Sequence, residues 1–327
     1  MKVCIFGAGA LGGNLAAHLI AANNCELSLV GRGPMLAALR ERGVMLQTGG
    51  KTIGGKAHAA TDDPASLPQQ DIVFTALKAH MLPAAAQAIG KLVKPNGTVV
   101  VLLNGVPWWF NYGLPGNKGT LPLLDPDGGL WKYIRPERVI GSVSYSPNET
   151  VAPGVIKHTG QNRWVFGEPD GSMSARLKQV ADLVGGAGIE SPTTNDIRSE
   201  LFRKSAANAP NNTLCSLTRL DTAQIAADAG LVKIAMGIIN ETLAVAAKLG
   251  FDLTRELDAE KIATRARGGP PGMRPSMGQD ALAGKPLEID GLLGQTRAFG
   301  RELNVPTPVI DVCYALMRGL DAAARAK

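Results

Sequence analysis

Short apolar runs alternate with stretches of helical period through the first half of the chain. Val3 to Phe6 is apolar throughout and is followed by the alanine-rich "LGGNLAAHLIAAN". Glu26 to Val30 ("ELSLV") predicts a second strand and "VMLQT" a third. Ile72 to Ala76 predicts a fourth, and "GTVVVLLNGV" a fifth that ends at Asn104-Gly105. Such runs, separated by helical segments, are the pattern of parallel strands buried on both faces. Shorter strands are expected around 139–146, 153–158 and 162–166, with a helix near 172–186. From about Asn195 the strand pattern fades. "DIRSELFRKSAANA", "LVKIAMGIINETLAVAAKLG" and "IDGLLGQTRAFGRELNV" carry helical periodicity, and Thr307-Pro308 opens a last helix. The fold class is α/β: a doubly wound sheet domain followed by a mostly helical domain.

The turn after the first run makes the sheet more specific. Gly7, Ala8, Gly9, Ala10, Leu11 and Gly12 form G-x-G-x-x-G between a strand and a helix. Gly7 permits the tight turn, Gly9 lets a pyrophosphate approach the backbone, and Gly12 lets the helix pack close. The helix N-terminus then offers N–H groups to phosphate. The expected first domain is therefore an NADP-binding, Rossmann-type unit over 1–192, with a helical substrate and catalytic domain over 193–327.

Past the second strand, an NAD binder carries an acid for the ribose hydroxyls. This chain carries Arg32 there. A guanidinium grips a 2′-phosphate with paired hydrogen bonds, so NADP(H) is the expected cofactor. The glycine turn, Arg32, Lys78 and Asn104 all follow strand ends, where ligands of such sheets bind. After Asn104 comes a long segment rich in Gly and Pro that nevertheless holds Trp108, Trp109, Phe110 and Trp131. It reads either as a lid or pocket wall over the cofactor or as a satellite core.

In the second half, "KSAANAPNN" places Lys204, Asn208 and Asn212 near one helical face among small residues. A shielded lysine is a proton donor with a tunable pKa, and amides bind oxygen-rich groups without competing charge. Pro210 lies between the two asparagines and predicts a kink, which would turn Asn211 inward in place of Asn212. Arg265, Arg267 and Arg274 near Ser276 suggest a carboxylate-binding loop. Glu288 opens a helix, where it either caps or positions Lys204.

Composition narrows the partners. The 327 residues carry a formal charge of +6, which favours anionic ligands, but no basic run points to nucleic acid. Cys4, Cys25, Cys215 and Cys313 are far apart and the four histidines are dispersed, so neither a disulfide framework nor a metal site is expected. No leader pattern and no apolar run of membrane length is read, so the expected setting is the cytoplasm. A homodimer is compatible with the apolar helices of the second half.

Together the glycine turn, Thr75 to Lys78, Asn104-Gly105, Lys204 with Asn208 and Asn212, Ser276 to Asp280, and Glu288 to Gly291 resemble the ketopantoate reductase (2-dehydropantoate 2-reductase) family across the whole chain. The resemblance implies that NADPH gives hydride to the C2 carbonyl of a 2-keto acid, within pantothenate biosynthesis. It implies that Lys204 protonates the forming alkoxide and that Glu288 assists it. Asn104, Asn208, Asn212 and Ser276 would hold the substrate, with Lys78, Asn104 and Glu288 beside the cofactor. The family usually places proline just after the second asparagine; here it precedes it. The long aromatic segment also departs from the family and implies as an alternative a bulkier 2-keto acid; a separate alternative, from another class, is a non-catalytic NADPH sensor.

Overall fold

The computed structural model describes residues 1–116 and 119–326. Asn117 and Lys118, inside the aromatic segment, lie outside the described residues, as does Lys327. The chain forms two compact units. One is Met1–Leu103 with Pro107–Ile197; the other is Arg198–Lys327 with Asn104–Val106. The expected boundary was 192/193, and the contacts divide the chain at 197/198. They also assign Asn104–Val106 to the second unit, because Val106 N–H donates to the Gly291 carbonyl at 2.8 Å.

In the first unit the strands are β1 (Lys2–Phe6), β2 (Glu26–Val30), β3 (Val44–Thr48), β4 (Lys51–Gly55), β5 (Ala59–Thr61), β6 (Gln70–Thr75), β7 (Val93–Leu102), β8 (Val139–Tyr145), β9 (Asn148–Ala152), β10 (Val155–His158) and β11 (Arg163–Gly167). The helices are α1 (Ala10–Ala22), α2 (Gly33–Glu41), α3 (Leu82–Leu92) and α4 (Ala175–Gly185). Among the described residues the main sheet runs β11-β8-β7-β6-β1-β2-β5. Only its β11–β8 pairing is antiparallel; the others are parallel. Its centre is dry: Val3, Ile5, Ile72, Phe74 and Val100 are all buried.

β3 departs from expectation. It joins a second sheet, ordered β4-β3-β10-β9, while β5 takes the place beside β2. The reason lies in its pattern and its turn. Val44 and Leu46 are buried while Met45 and Gln47 are exposed, the alternation of a strand covered on one face. Gly49 and Gly50 then have φ of 53° and 75°, so a two-residue turn returns the chain antiparallel into β4.

The rings at the start of the aromatic segment are core. Trp108, Trp109 and Phe110 are 1%, 1% and 0% exposed, and the Trp109 ring fills the space over Gly141 of β8, where a Cβ would meet Cζ2 at 2.6 Å. Buried Asp125 accepts from the Leu130 and Trp131 N–H groups at 2.9 Å and fixes the following turn. These three rings are therefore not a lid.

The second unit holds α5 (Ile197–Thr218), which begins on the last residue of the first, then α6 (Thr222–Ala227), α7 (Ala229–Lys248), α8 (Ala259–Thr264), α9 (Ser276–Leu282), α10 (Gln295–Glu302) and α11 (Pro308–Arg325). Asp221 and Gln224 form a capping box on α6, and Asp228 caps α7. Glu241 of α7 accepts from the Val309 and Ile310 N–H groups at 2.8 Å, so a carboxylate meets the N-terminus of α11. The reading that no apolar run reaches membrane length is corrected by α7, whose 20 residues are long and apolar enough to cross a membrane by length and composition alone. Its Ile238, Ile239 and Val245 are nevertheless buried, and it packs against α6, α8 and α11 as a core helix.

Candidate active site

Parallel pairing brings the ends of β2, β1 and β6 side by side. From β1 the chain enters the glycine turn. Gly7 has φ of 107°, open to glycine at little cost. A Cβ at Gly12 would sit 2.0 Å from the Gly7 carbonyl oxygen, whereas at Gly9 it would meet nothing within 4 Å. The turn is thus closed behind and open in front. Gly9 caps α1 with no side-chain hydrogen bond, and the first turn of α1 holds no acid. A phosphate group fits this cradle: open space, N–H groups at a helix start and no opposing charge. Ala8 is buried, while Ala10 and Leu11 are partly exposed. Arg32 is exposed at the start of α2, beyond the end of β2. Lys78 is partly buried just past β6, where it opens the short turn Ala79–Met81.

In the second unit, Asn104 and Lys204 meet. Lys204 Nζ donates to Asn104 Oδ1 at 2.7 Å. Burial penalises the ammonium and lowers the lysine pKa from 10.5 to about 8, against the opposing pull of the Glu288 charge. Asn104 is fixed by backbone: Val106 is bonded to Gly291, and Gly105, at φ 76°, lies so close that a Cβ would stand 2.1 Å from the Gly291 oxygen. Glu288 sits between buried Leu287 and Ile289. A π turn, Asp290–Gly294, follows it and runs into α10; such turns are frequent at functional sites. Tyr314 of α11 donates to Asp290 Oδ1 at 2.8 Å and holds this turn.

α5 continues through Pro210. Asn212 is 1% exposed, so the expected exchange with Asn211 does not occur; Asn211, partly exposed, makes a long bond to the Ala207 carbonyl. Both N–H groups of the Asn212 amide are donated to Asn208, to its carbonyl at 2.9 Å and its Oδ1 at 2.8 Å. Asn212 Oδ1 accepts from the Met277 N–H at 2.9 Å. Ser216 and Thr218 bond back to the carbonyls of Asn212 and Leu214 in the same manner. Ser276 is exposed at the start of α9, next to buried Met277. Arg267 and Arg274 bond the backbone carbonyls of Ala226 and Arg219, which is a bracing role. Arg265 is exposed at the end of α8. Cys215 is buried, and its thiol is pushed up to about 12 by that burial, which makes it inert.

Comparison with known proteins decides the family. The model "Ketopantoate reductase PanE/ApbA" matches residues 3–171, and "Ketopantoate reductase PanE/ApbA C terminal" matches 196–321. The chain belongs to the ketopantoate reductase family. It is 39% identical over 322 residues to the 2-dehydropantoate 2-reductase of Mesorhizobium japonicum, covering 98% of each chain. It is 27% identical to that of Archaeoglobus fulgidus, again over 98% of each. The crystal structure of a candidate ketopantoate reductase from Ralstonia solanacearum MolK2 superposes with a TM-score of 0.91 at 34% identity, covering 98% of both chains.

Within this chain, the pieces that sequence reasoning missed are the supports: the Gly105–Gly291 approach, the Tyr314–Asp290 bond and the Asn212–Met277 bond. The Asn-Gly after a strand was a signal for the first. The other two link side chains to positions far along the chain and leave no local pattern.

Proposed function

We propose that the chain reduces 2-dehydropantoate to pantoate with NADPH, acting as an oxidoreductase on the C2 carbonyl of a 2-keto acid. The observation that carries this reading is the partly buried Lys204, bonded to Asn104 and opposed by Glu288, in a chain of this family. The bound dinucleotide supplies the hydride. The chain's own work is at the oxygen. Negative charge grows there as the carbonyl is reduced, and an ammonium held against it stabilises the transition state more than the ground state. Lys204 Nζ gives its proton to the forming alkoxide and leaves as the neutral amine, to be recharged from solvent. Its pKa of about 8 suits a donor working near neutrality, where such help is worth ~10²–10⁴ in rate. Glu288 keeps the lysine from falling further and so preserves its charged form. We assign Asn104, Asn208, Asn212 and Ser276 to the substrate. The glycine turn, Arg32 and Lys78 are assigned to the cofactor, with Asn104 and Glu288 beside it.

Burial of Trp108, Trp109 and Phe110 removes the reason to propose a bulkier acid, and a proton donor with a tuned pKa has no use in a mere sensor. Self-association belongs to the same proposal: Val312 and Leu316 are 60% and 55% exposed on α11. The reading is tested by following oxidation of NADPH, beside NADH, with ketopantoate and a set of larger 2-keto acids. It expects turnover of ketopantoate, faster with NADPH, and an Arg32→Ala variant that loses this cofactor preference. Turnover confined to a larger acid would replace the substrate, and equal use of both cofactors would remove the role of Arg32.

A further inference from the structure

We propose that Asp290 and Tyr314 are positioning residues for the proton donor: their hydrogen bond holds the Asp290–Gly294 turn in its π register, and that register leaves the Gly291 carbonyl to anchor the segment carrying Asn104. The inference rests on the reading of Lys204 as the donor. In an α-helix each N–H bonds the carbonyl four residues back, so Gln295 would use Gly291. In the π turn Gln295 reaches one residue further and donates to the Asp290 carbonyl. The Gly291 carbonyl takes the Val106 N–H instead, at 2.8 Å. Two residues before Val106, Asn104 Oδ1 accepts from Lys204 Nζ at 2.7 Å. One skipped helical bond thus reaches the reacting lysine through Gly291, Val106 and Asn104. Return to the α register would set Gln295 against Val106 for one carbonyl. It would also turn Glu288 by about 100° against α10.

π turns are rare, so one that persists needs support. Here the support converges on Asp290. Its main-chain carbonyl makes the π bond, and its side chain accepts from the Tyr314 hydroxyl at 2.8 Å. A Cβ at Gly294 would stand 2.9 Å from both Asp290 Oδ1 and Tyr314 Cε2, so glycine leaves this pair its room. The Arg297 guanidinium lies 4.9 Å from the centre of the Tyr314 ring and bonds Asp311, which steadies the ring from the α10 side. Arg318 also reaches Asp290, but at 3.4 Å and with 56% of its side chain exposed; a pair of that kind contributes little. The Tyr314 hydroxyl is therefore the group that holds the register.

The test compares Tyr314→Phe, Asp290→Ala, Asp290→Asn and Arg318→Ala. Without substrate it reads hydrogen exchange at the Val106 amide; with ketopantoate it reads kcat and kcat/KM across pH. Tyr314→Phe keeps the ring and loses the donor. Val106 should then exchange about tenfold faster, as expected for one lost hydrogen bond, while amides in α7 exchange as in wild type. kcat should fall by roughly tenfold or more, since a displaced donor is costly. Asn104 accepts from the charged lysine, so its displacement disfavours the ammonium, and the alkaline fall should move to lower pH. Asp290→Ala should behave as Tyr314→Phe does. Asp290→Asn keeps an oxygen for Tyr314 and should recover most of the loss, and Arg318→Ala should match wild type. An unchanged Val106 amide in Tyr314→Phe would overturn the proposal. So would faster exchange spread equally over α7, the sign of plain lost stability, or an alkaline limb that stays in place. Because the exchange arm needs no substrate, a wild-type protein that fails to reduce ketopantoate while Val106 responds defeats the activity reading alone.

Discussion

Lys204 shows what a single residue contributes and what it costs. Burial lowers its pKa from 10.5 to about 8, so the charged form is disfavoured where the chemistry needs it. Between these two values the unfolded chain holds the proton and the folded chain does not. This group's contribution to stability therefore rises with pH across that window, and its full cost is present below it. Activity runs the other way. In the proposed mechanism the ammonium is the proton donor, so kcat/KM for ketopantoate should be level below about 8 and fall on the alkaline side. Rate measurements across pH check this; a profile still rising above 9 to 10 would contradict the assigned acid. The position of Lys204 and Asn208 on one face was legible in the sequence, because helical spacing alone brings them together. The bond between Met277 and Asn212 was not, since the two lie 65 residues apart.

At the scale of elements, local pattern carried strands and helices but not their partners. "VMLQT" was legible as a strand, yet the sheet it joins was decided by a glycine turn that reverses the chain. Pro210 removes one N–H from α5, and the helix still continues, with side-chain amides and hydroxyls bonding back to its carbonyls. The segment Asn104–Val106 is an element in miniature, held by close backbone approach to Gly291. A methyl group at Gly105 would meet the Gly291 oxygen at 2.1 Å and adopt φ of 76°. Backbone strain of this kind costs ~1–3 kcal/mol before any clash is counted. Gly105→Ala should therefore lose at least about 2 kcal/mol in urea unfolding and lower kcat through displaced Asn104. Wild-type stability and turnover in that variant would show that the approach is not needed.

At the scale of the molecule, two units share the labour. Under the proposed function the first supplies a phosphate cradle at the end of the interior strand β1, and the second a lysine on a long helix. Both expected ligands are anionic, which accords with the +6 charge. The glycine turn and the apolar strand pattern made the first unit legible from sequence. In the second, motifs pointed to the reacting groups while their supports stayed hidden, because hydrogen bonds between distant segments follow from the fold. The aromatic segment stayed open between lid and core for a related reason: Gly and Pro mark a loop, but they do not say whether its rings face solvent or core.

The most direct test is Lys204→Met, assayed for turnover of ketopantoate and, by fluorescence titration, for NADPH binding. The account predicts a loss of ~10²–10⁴ in kcat with the NADPH Kd retained. A variant that turns over within a few-fold of wild type would contradict it.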